Sequence, residues 1–323
     1  MKKHLLPGLA VFSWLAGGLA ACYKPAAYSS LNTRITAVSV DKSLAQIDRG
    51  RYLFNHVAAC ADCHSRRDYT KLAGPIITGT HGAGGEKFGK NMGLPGTFYG
   101  KNLTPAALRD WTDMELFMAI TTGASKSGKP LFPMMPYLNY ANMDEQDVNA
   151  IIAYLRTLEP VENKVPESKP NFVGKMASKL VPHKARLQPM PDTHNSEAYG
   201  RYLVTIAGCA DCHTQRTMGM MVKKAAFAGG TSMKMAGGTL RSANLTPDNE
   251  TGIGRWSKQD FINRFKTFNP KTYQAPDTQN GFNTMMPWTL YAGMSEQDLG
   301  AIYDYLRTVK PKRHKVERFT AKR

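Results

Sequence analysis

The string Cys-Ala-Asp-Cys-His stands at Cys60–His64 and returns at Cys209–His213. With 5 Cys and 8 His in 323 residues, such a repeat is no accident of composition. It marks two copies of one module, so any fold must supply the same surroundings twice. The copies are wider than five letters. "GRYLFNHVAACADCHSRRD" (Gly50–Asp68) answers "GRYLVTIAGCADCHTQR" (Gly200–Arg216), with one residue fewer before the first cysteine. "KNLTP" (Lys101–Pro105) answers "ANLTP" (Ala243–Pro247), and Met134–Pro160 matches Met285–Pro311 without a gap.

The local pattern is helical. "WTDME" (Trp111–Glu115) and "WSKQD" (Trp256–Asp260) each place a Thr or Ser three residues before an acid, the spacing of a capping box. Val148, Ile151, Ile152 and Leu155 keep helical spacing, as do Leu299, Ile302, Tyr303 and Leu306, with Pro160 and Pro311 expected to end those helices. No alternating strand pattern stands out, so the expected fold class is all-α. The predicted organisation is two tandem helical domains, 44–160 and 196–311, joined by a Pro/Lys-rich linker over 161–195. Residues 312–323, with the "KPKRHK" cluster (Lys310–Lys315) at their start, read as a mobile basic tail.

Three chemistries use Cys-x-x-Cys-His. A redox dithiol of thioredoxin type needs a βαβ surrounding that the pattern lacks. Structural zinc needs four ligands, and His56, His81, His183 and His194 form no matching pairs in the two copies. Covalent haem attachment fits. Cys60 and Cys63, and likewise Cys209 and Cys212, lie one helical turn apart, with His64 and His213 as iron ligands. For the sixth ligand, Met-Met-Pro-aromatic recurs at equivalent points, which favours Met135 and Met286, the residues beside proline. Met134 and Met285 are the alternatives. A methionine in general is more often a gap-filling core side chain.

With these motifs in place, each copy resembles a class I cytochrome c domain, and the whole resembles two-haem bacterial cytochromes c, including electron-transfer subunits of membrane-bound dehydrogenases. The resemblance implies two covalent haem c groups and a crossing of first and last helices. Gly50 and Phe54 would meet Ile151 and Tyr154; Gly200 and Val204 would meet Ile302 and Tyr305, with no aromatic on the first helix of the second copy. It also implies that the carbonyl of Pro75, in Gly74-Pro75, holds His64, whereas the second copy offers only "FAGG" (Phe227–Gly230). From that difference, and from Lys223, Lys224 and Lys234 in a Met-rich stretch, the second haem is expected to be the more positive.

The first residues read as an export signal. Lys2 and Lys3 precede an apolar run, Leu5–Ala21, too short to span a bilayer comfortably. "LAAC" (Leu19–Cys22) resembles a bacterial lipobox, which implies cleavage after residue 21, lipid on Cys22 and a tether over 22–43. The expected protein is a membrane-anchored, periplasm-facing electron carrier with no catalytic residues. Its partners would be redox proteins: a dehydrogenase, a quinol-oxidising complex or a terminal oxidase. A dehydrogenase-complex subunit and a di-haem peroxidase are the alternative readings. Neither a small-molecule substrate nor nucleic acid is expected, because the +17 charge is scattered and no nucleic-acid-binding motif is present.

Overall fold

A computed structural model describes residues 38–180, 184–217, 220–279 and 281–322. Cys22 and the leader lie outside the described residues. In the first repeat, the Ser43 hydroxyl caps α1 (Leu44–Tyr52). There follow α2 (Cys60–Cys63), α3 (Pro105–Leu108), α4 (Asp113–Thr122), α5 (Tyr137–Tyr140) and α6 (Glu145–Leu155). After α7 (Phe172–Leu180), the second repeat supplies α8 (Ser196–Ile206), α9 (Cys209–His213), α10 (Lys258–Lys266), α11 (Trp288–Tyr291) and α12 (Glu296–Thr308). Both expected capping boxes form, Thr112 with Glu115 and Ser257 with Asp260. Helices α6 and α12 stop before Pro160 and Pro311, so the prolines follow those ends rather than make them.

The all-α expectation fails, because the helices share the molecule with three small antiparallel sheets. The first contains β1 (Lys87–Phe88), β2 (Gly96–Tyr99) and β3 (Lys169–Pro170). The second pairs β4 (Arg216–Thr217) with β5 (Met220–Met221). The third contains β6 (Ser232–Met235), β7 (Gly238–Arg241) and β8 (Phe319–Ala321). These strands run for two to four residues, too short for a period-two pattern to show in the sequence. Glycine opens both central strands, Gly96 against the Lys169 carbonyl and Gly238 against the Thr320 carbonyl, where a Cβ would overlap the edge strand.

The edge strands extend the repeat. Gly96 pairs with Pro170 and Gly238 with Ala321, each ten positions after the proline that follows its last helix. The segment expected as a mobile tail is therefore laid back onto its own repeat. Further hydrogen bonds bind it there, from Asn244 Nδ2 to Lys312 O (2.8 Å) and from His314 N to Thr251 Oγ1 (2.9 Å).

First and last helices cross through glycine in both copies, as expected. A Cβ at Gly50 would overlap the Ala150 carbonyl, and one at Gly200 the Ala301 carbonyl. The extra residue of the first copy is absorbed by a π-helical turn, Leu53–Val57, closed by Ala58 N donating to Leu53 O at 2.9 Å. Cys60 thus keeps the place that Cys209 has. One hydrophobic cluster draws on both repeats, including Phe54, Val57, Ile152, Leu203, Ile206 and Leu299.

Polar contacts also join the repeats, in a near-twofold pattern. Tyr52 OH donates to Asp298 Oδ2 at 2.5 Å and accepts from Ser295 N. Its counterpart Tyr202 donates to Asp147 Oδ2 at 2.6 Å and accepts from Asp144 N. Each tyrosine thus reaches over the start of the other copy's last helix.

Candidate functional site

Each Cys-x-x-Cys-His segment starts from a left-handed residue, Ala59 (φ 49°) or Gly208 (φ 65°). That reversal ends the preceding helix and opens a new one at the first cysteine. A buried tyrosine secures each corner: Tyr140 OH donates to Ala58 O (2.9 Å) and Tyr291 OH to Ala207 O (2.7 Å). Burial pushes the thiols of Cys60, Cys63 and Cys209 up to about 12 and that of Cys212 up to about 11, so all four are neutral at pH 7. No disulfide joins them.

The histidines are held alike, and not as the resemblance implied. His64 Nδ1 donates to Lys101 O at 2.7 Å, and His213 Nδ1 donates to Ala243 O at 2.8 Å. The Pro75 carbonyl instead accepts from Asp68 N. Burial disfavours the charged imidazole at both sites, bringing His213 down to about 4 and lowering His64. A neutral ring whose Nδ1 carries the proton presents Nε2 as its lone-pair donor.

The holding carbonyls come from the residue before Asn-Leu-Thr-Pro. Asn102 Oδ1 accepts from Thr104 N and Oγ1, while its Nδ2 donates to Val161 O at 2.8 Å. Asn244 repeats this with Thr246 and Lys312 O. The turn is therefore locked by the chain just beyond each last helix. The "KNLTP"/"ANLTP" repeat is the sequence signal for it, in place of the proline carbonyl that the resemblance implied. Gly84 and Gly229 complete the frame. Each N–H donates to its histidine's own carbonyl at 2.8 Å, and a Cβ at either would overlap the peptide that carries the holding carbonyl.

These hydrogen bonds also correct the internal alignment. "FAGG" (Phe227–Gly230) corresponds to "GAGG" (Gly82–Gly85), not to Gly74-Pro75. Gly82 and Phe227 both have positive φ, 70° and 59°. In the first copy Phe54 on the π-helical turn meets Tyr154 edge-to-face at 5.4 Å, and Gly82 leaves room for it. In the second copy the helix carries Val204, and Phe227 meets Tyr305 edge-to-face at 6.2 Å. The loop thus supplies the aromatic that the first helix of the second copy lacks.

Met135 and Met286 lie in the loops before α5 and α11, partly buried against the shared cluster. Their carbonyls accept from Tyr137 N and Trp288 N, both at 2.8 Å. Met134 and Met285 are also half-buried, but only the proline-adjacent members pack on the cluster. The two motifs are neighbours in space. Cys212 adds to the raising of the Cys63 thiol, and Asn139 Nδ2 of the first repeat donates to Asp211 Oδ2 of the second motif at 2.6 Å. Among the described residues no group of three or more His, Cys, Asp or Glu could hold a metal ion, which leaves no zinc-type cluster there. The donor set instead fits covalent haem: a thiol pair one turn apart, an imidazole presenting Nε2, and a thioether on a separate loop.

No family model matches the chain. It is 31% identical over 280 residues to the fructose dehydrogenase cytochrome subunit of Gluconobacter japonicus, covering 82% of this chain and 53% of that protein. It is 28% identical over 310 residues to the cytochrome c subunit of the quinone alcohol dehydrogenase of Gluconacetobacter polyoxogenes, covering 91% and 62%. A di-haem c-type cytochrome of Cereibacter sphaeroides is 29% identical over 214 residues, covering 62% and 68%. The chain spans about half to three fifths of the length of these two dehydrogenase subunits. Together with the paired Cys-x-x-Cys-His frames, these likenesses support a place for the chain in the cytochrome c family.

Proposed function

We propose that the chain is a di-haem c-type cytochrome, tethered to a membrane by lipid on Cys22, that passes single electrons between redox partners of the bacterial cell envelope. The observation that carries this reading is the twofold recurrence of one frame: a thiol pair, and a histidine whose Nδ1 is tied to the carbonyl before Asn-Leu-Thr-Pro. Haem bound at each frame supplies reversible one-electron chemistry. Cys60 and Cys63, with Cys209 and Cys212, would fix the group by thioether bonds. Lys101 O and Ala243 O keep the proton on Nδ1, so His64 and His213 would offer Nε2 to the iron as neutral donors. Met135 and Met286 would supply thioether sulfur to the iron, which would raise the potential relative to a second histidine. The proximity of the two motifs makes electron exchange within the chain the natural use of the pair.

The names of the relatives favour a narrower role as the cytochrome subunit of a dehydrogenase complex, which receives electrons from a catalytic subunit. A redox titration with optical detection tests the carrier reading. Two one-electron steps with low-spin, methionine-ligated spectra are expected, whereas high-spin iron in the resting protein contradicts it and points to a peroxidase. Copurification of a dehydrogenase subunit tests the narrower role.

A further inference from the structure

We propose that α7 is an interfacial helix that lays its apolar face on an anionic lipid surface. This nine-residue helix, in the segment between the repeats, docks by one side only. Gly174 is buried close under the Pro95 carbonyl, where a Cβ would crowd it, and the Ser178 hydroxyl turns inward to Gly174 O at 3.0 Å. At about 100° per residue, Phe172, Val173, Met176 and Leu180 fall together on the opposite side. They are 77%, 61%, 40% and 74% exposed. A continuous apolar arc pointing away from the body marks a contact surface rather than scattered exposure.

Charge selects the occupant. Lys169, Lys175, Lys179, Lys184 and Arg186 lie between positions 168 and 191, and that stretch has no Asp or Glu, although the chain has 25 acids. Lys175 and Lys179 are exposed and border the apolar arc on one flank. An apolar face edged by lysines, with four to eight cations in the segment, suits the boundary of acyl chains and phosphate headgroups, where each lysine contributes about 1 kcal/mol. A protein groove taking the same face would need its own acidic rim, and the test separates that case. The inference does not depend on acylation of Cys22.

The test uses the haem-loaded full chain with Cys22→Ser, so that no lipid contributes. It is sedimented with vesicles of phosphatidylglycerol mixed with phosphatidylcholine, and with vesicles of phosphatidylcholine alone. Binding to the anionic vesicles, weakened by salt, is expected. Adding Lys175→Ala and Lys179→Ala should weaken it about thirtyfold, and adding Phe172→Ser and Leu180→Ser should also release the protein, with the haem spectrum unchanged in both. If the added substitutions leave sedimentation unchanged, or the chain ignores anionic vesicles, the inference is overturned. If they instead abolish copurification with a dehydrogenase subunit while vesicle binding is absent, the face belongs to a protein.

Discussion

The two repeats build the same histidine frame but close the space behind it with different residues. In the first, Phe54 arrives from the helix before the motif and Gly82 makes way. In the second, Val204 is small on that helix and Phe227 enters from the loop. Phe227 does so in a left-handed conformation that suits glycine far better, so its aromatic contact outweighs the local strain. The frame itself shows no such freedom: Lys101 and Ala243 share only a carbonyl, and the carbonyl is all that the histidine needs. A site built from backbone groups tolerates sequence change, whereas its packing survives only by compensation.

The glycine crossings offer the harshest way to break this equivalence. Gly50→Ala and Gly200→Ala should each destabilise the protein by more than about 4 kcal/mol, since each new Cβ overlaps a helix backbone. Denaturant unfolding should show equal losses, and a mild effect at either position would mean that copy tolerates a wider crossing.

The aromatic exchange comes next. Phe54→Ala and Phe227→Ala should each cost about 3–5 kcal/mol. Val204→Phe alone should overpack by about 1–3 kcal/mol, and adding Phe227→Gly should recover most of that loss by recreating the first repeat's arrangement. A double-mutant cycle that finds the two changes additive would contradict the proposed exchange.

The tyrosine contacts between repeats separate the copies further. Tyr52→Phe removes a hydroxyl from buried Asp298, leaving Tyr199 OH at 3.1 Å, while Tyr202→Phe leaves Asp147 with the Arg49 guanidinium at 2.8 Å. Each should cost about 1–3 kcal/mol, with Tyr52→Phe the larger by unfolding measurement; the reverse order would show that the guanidinium is not compensating.

How much of this was legible in the sequence follows from what each contact uses. The motifs and capping boxes depend on residue type at fixed spacing, so they could be read, and the crossing glycines followed from the family resemblance. The sheets could not, because strands of two to four residues carry no period, and the backbone hydrogen bonds that pair β3 and β8 are marked by no residue type. The histidine acceptors were missed for the same reason. The tyrosine–aspartate contacts join residues 246 and 55 positions apart, a relation that a single sequence does not display. The expectation of a more positive second haem lost one support when both histidines proved equally tethered.

The smallest effect expected is on pH. His56, on the π-helical turn of the first copy, has Nδ1 at 2.8 Å from Leu290 O, and burial lowers it below its ordinary value. The unfolded chain then binds a proton that the folded one resists, so stability falls as pH drops below about 6.5 and is fully present above it. His56→Asn should flatten that slope in unfolding curves taken across the acid range, and an unchanged slope would assign it to other groups.

The central claim is that both frames hold haem by the same chemistry, and counting covalent haem tests it most directly. Denatured and reduced protein should retain two haems per chain; Cys60→Ala with Cys63→Ala should leave one, and Cys209→Ala with Cys212→Ala should also leave one. A single haem in the parent chain, or two remaining after either pair of substitutions, would contradict the account.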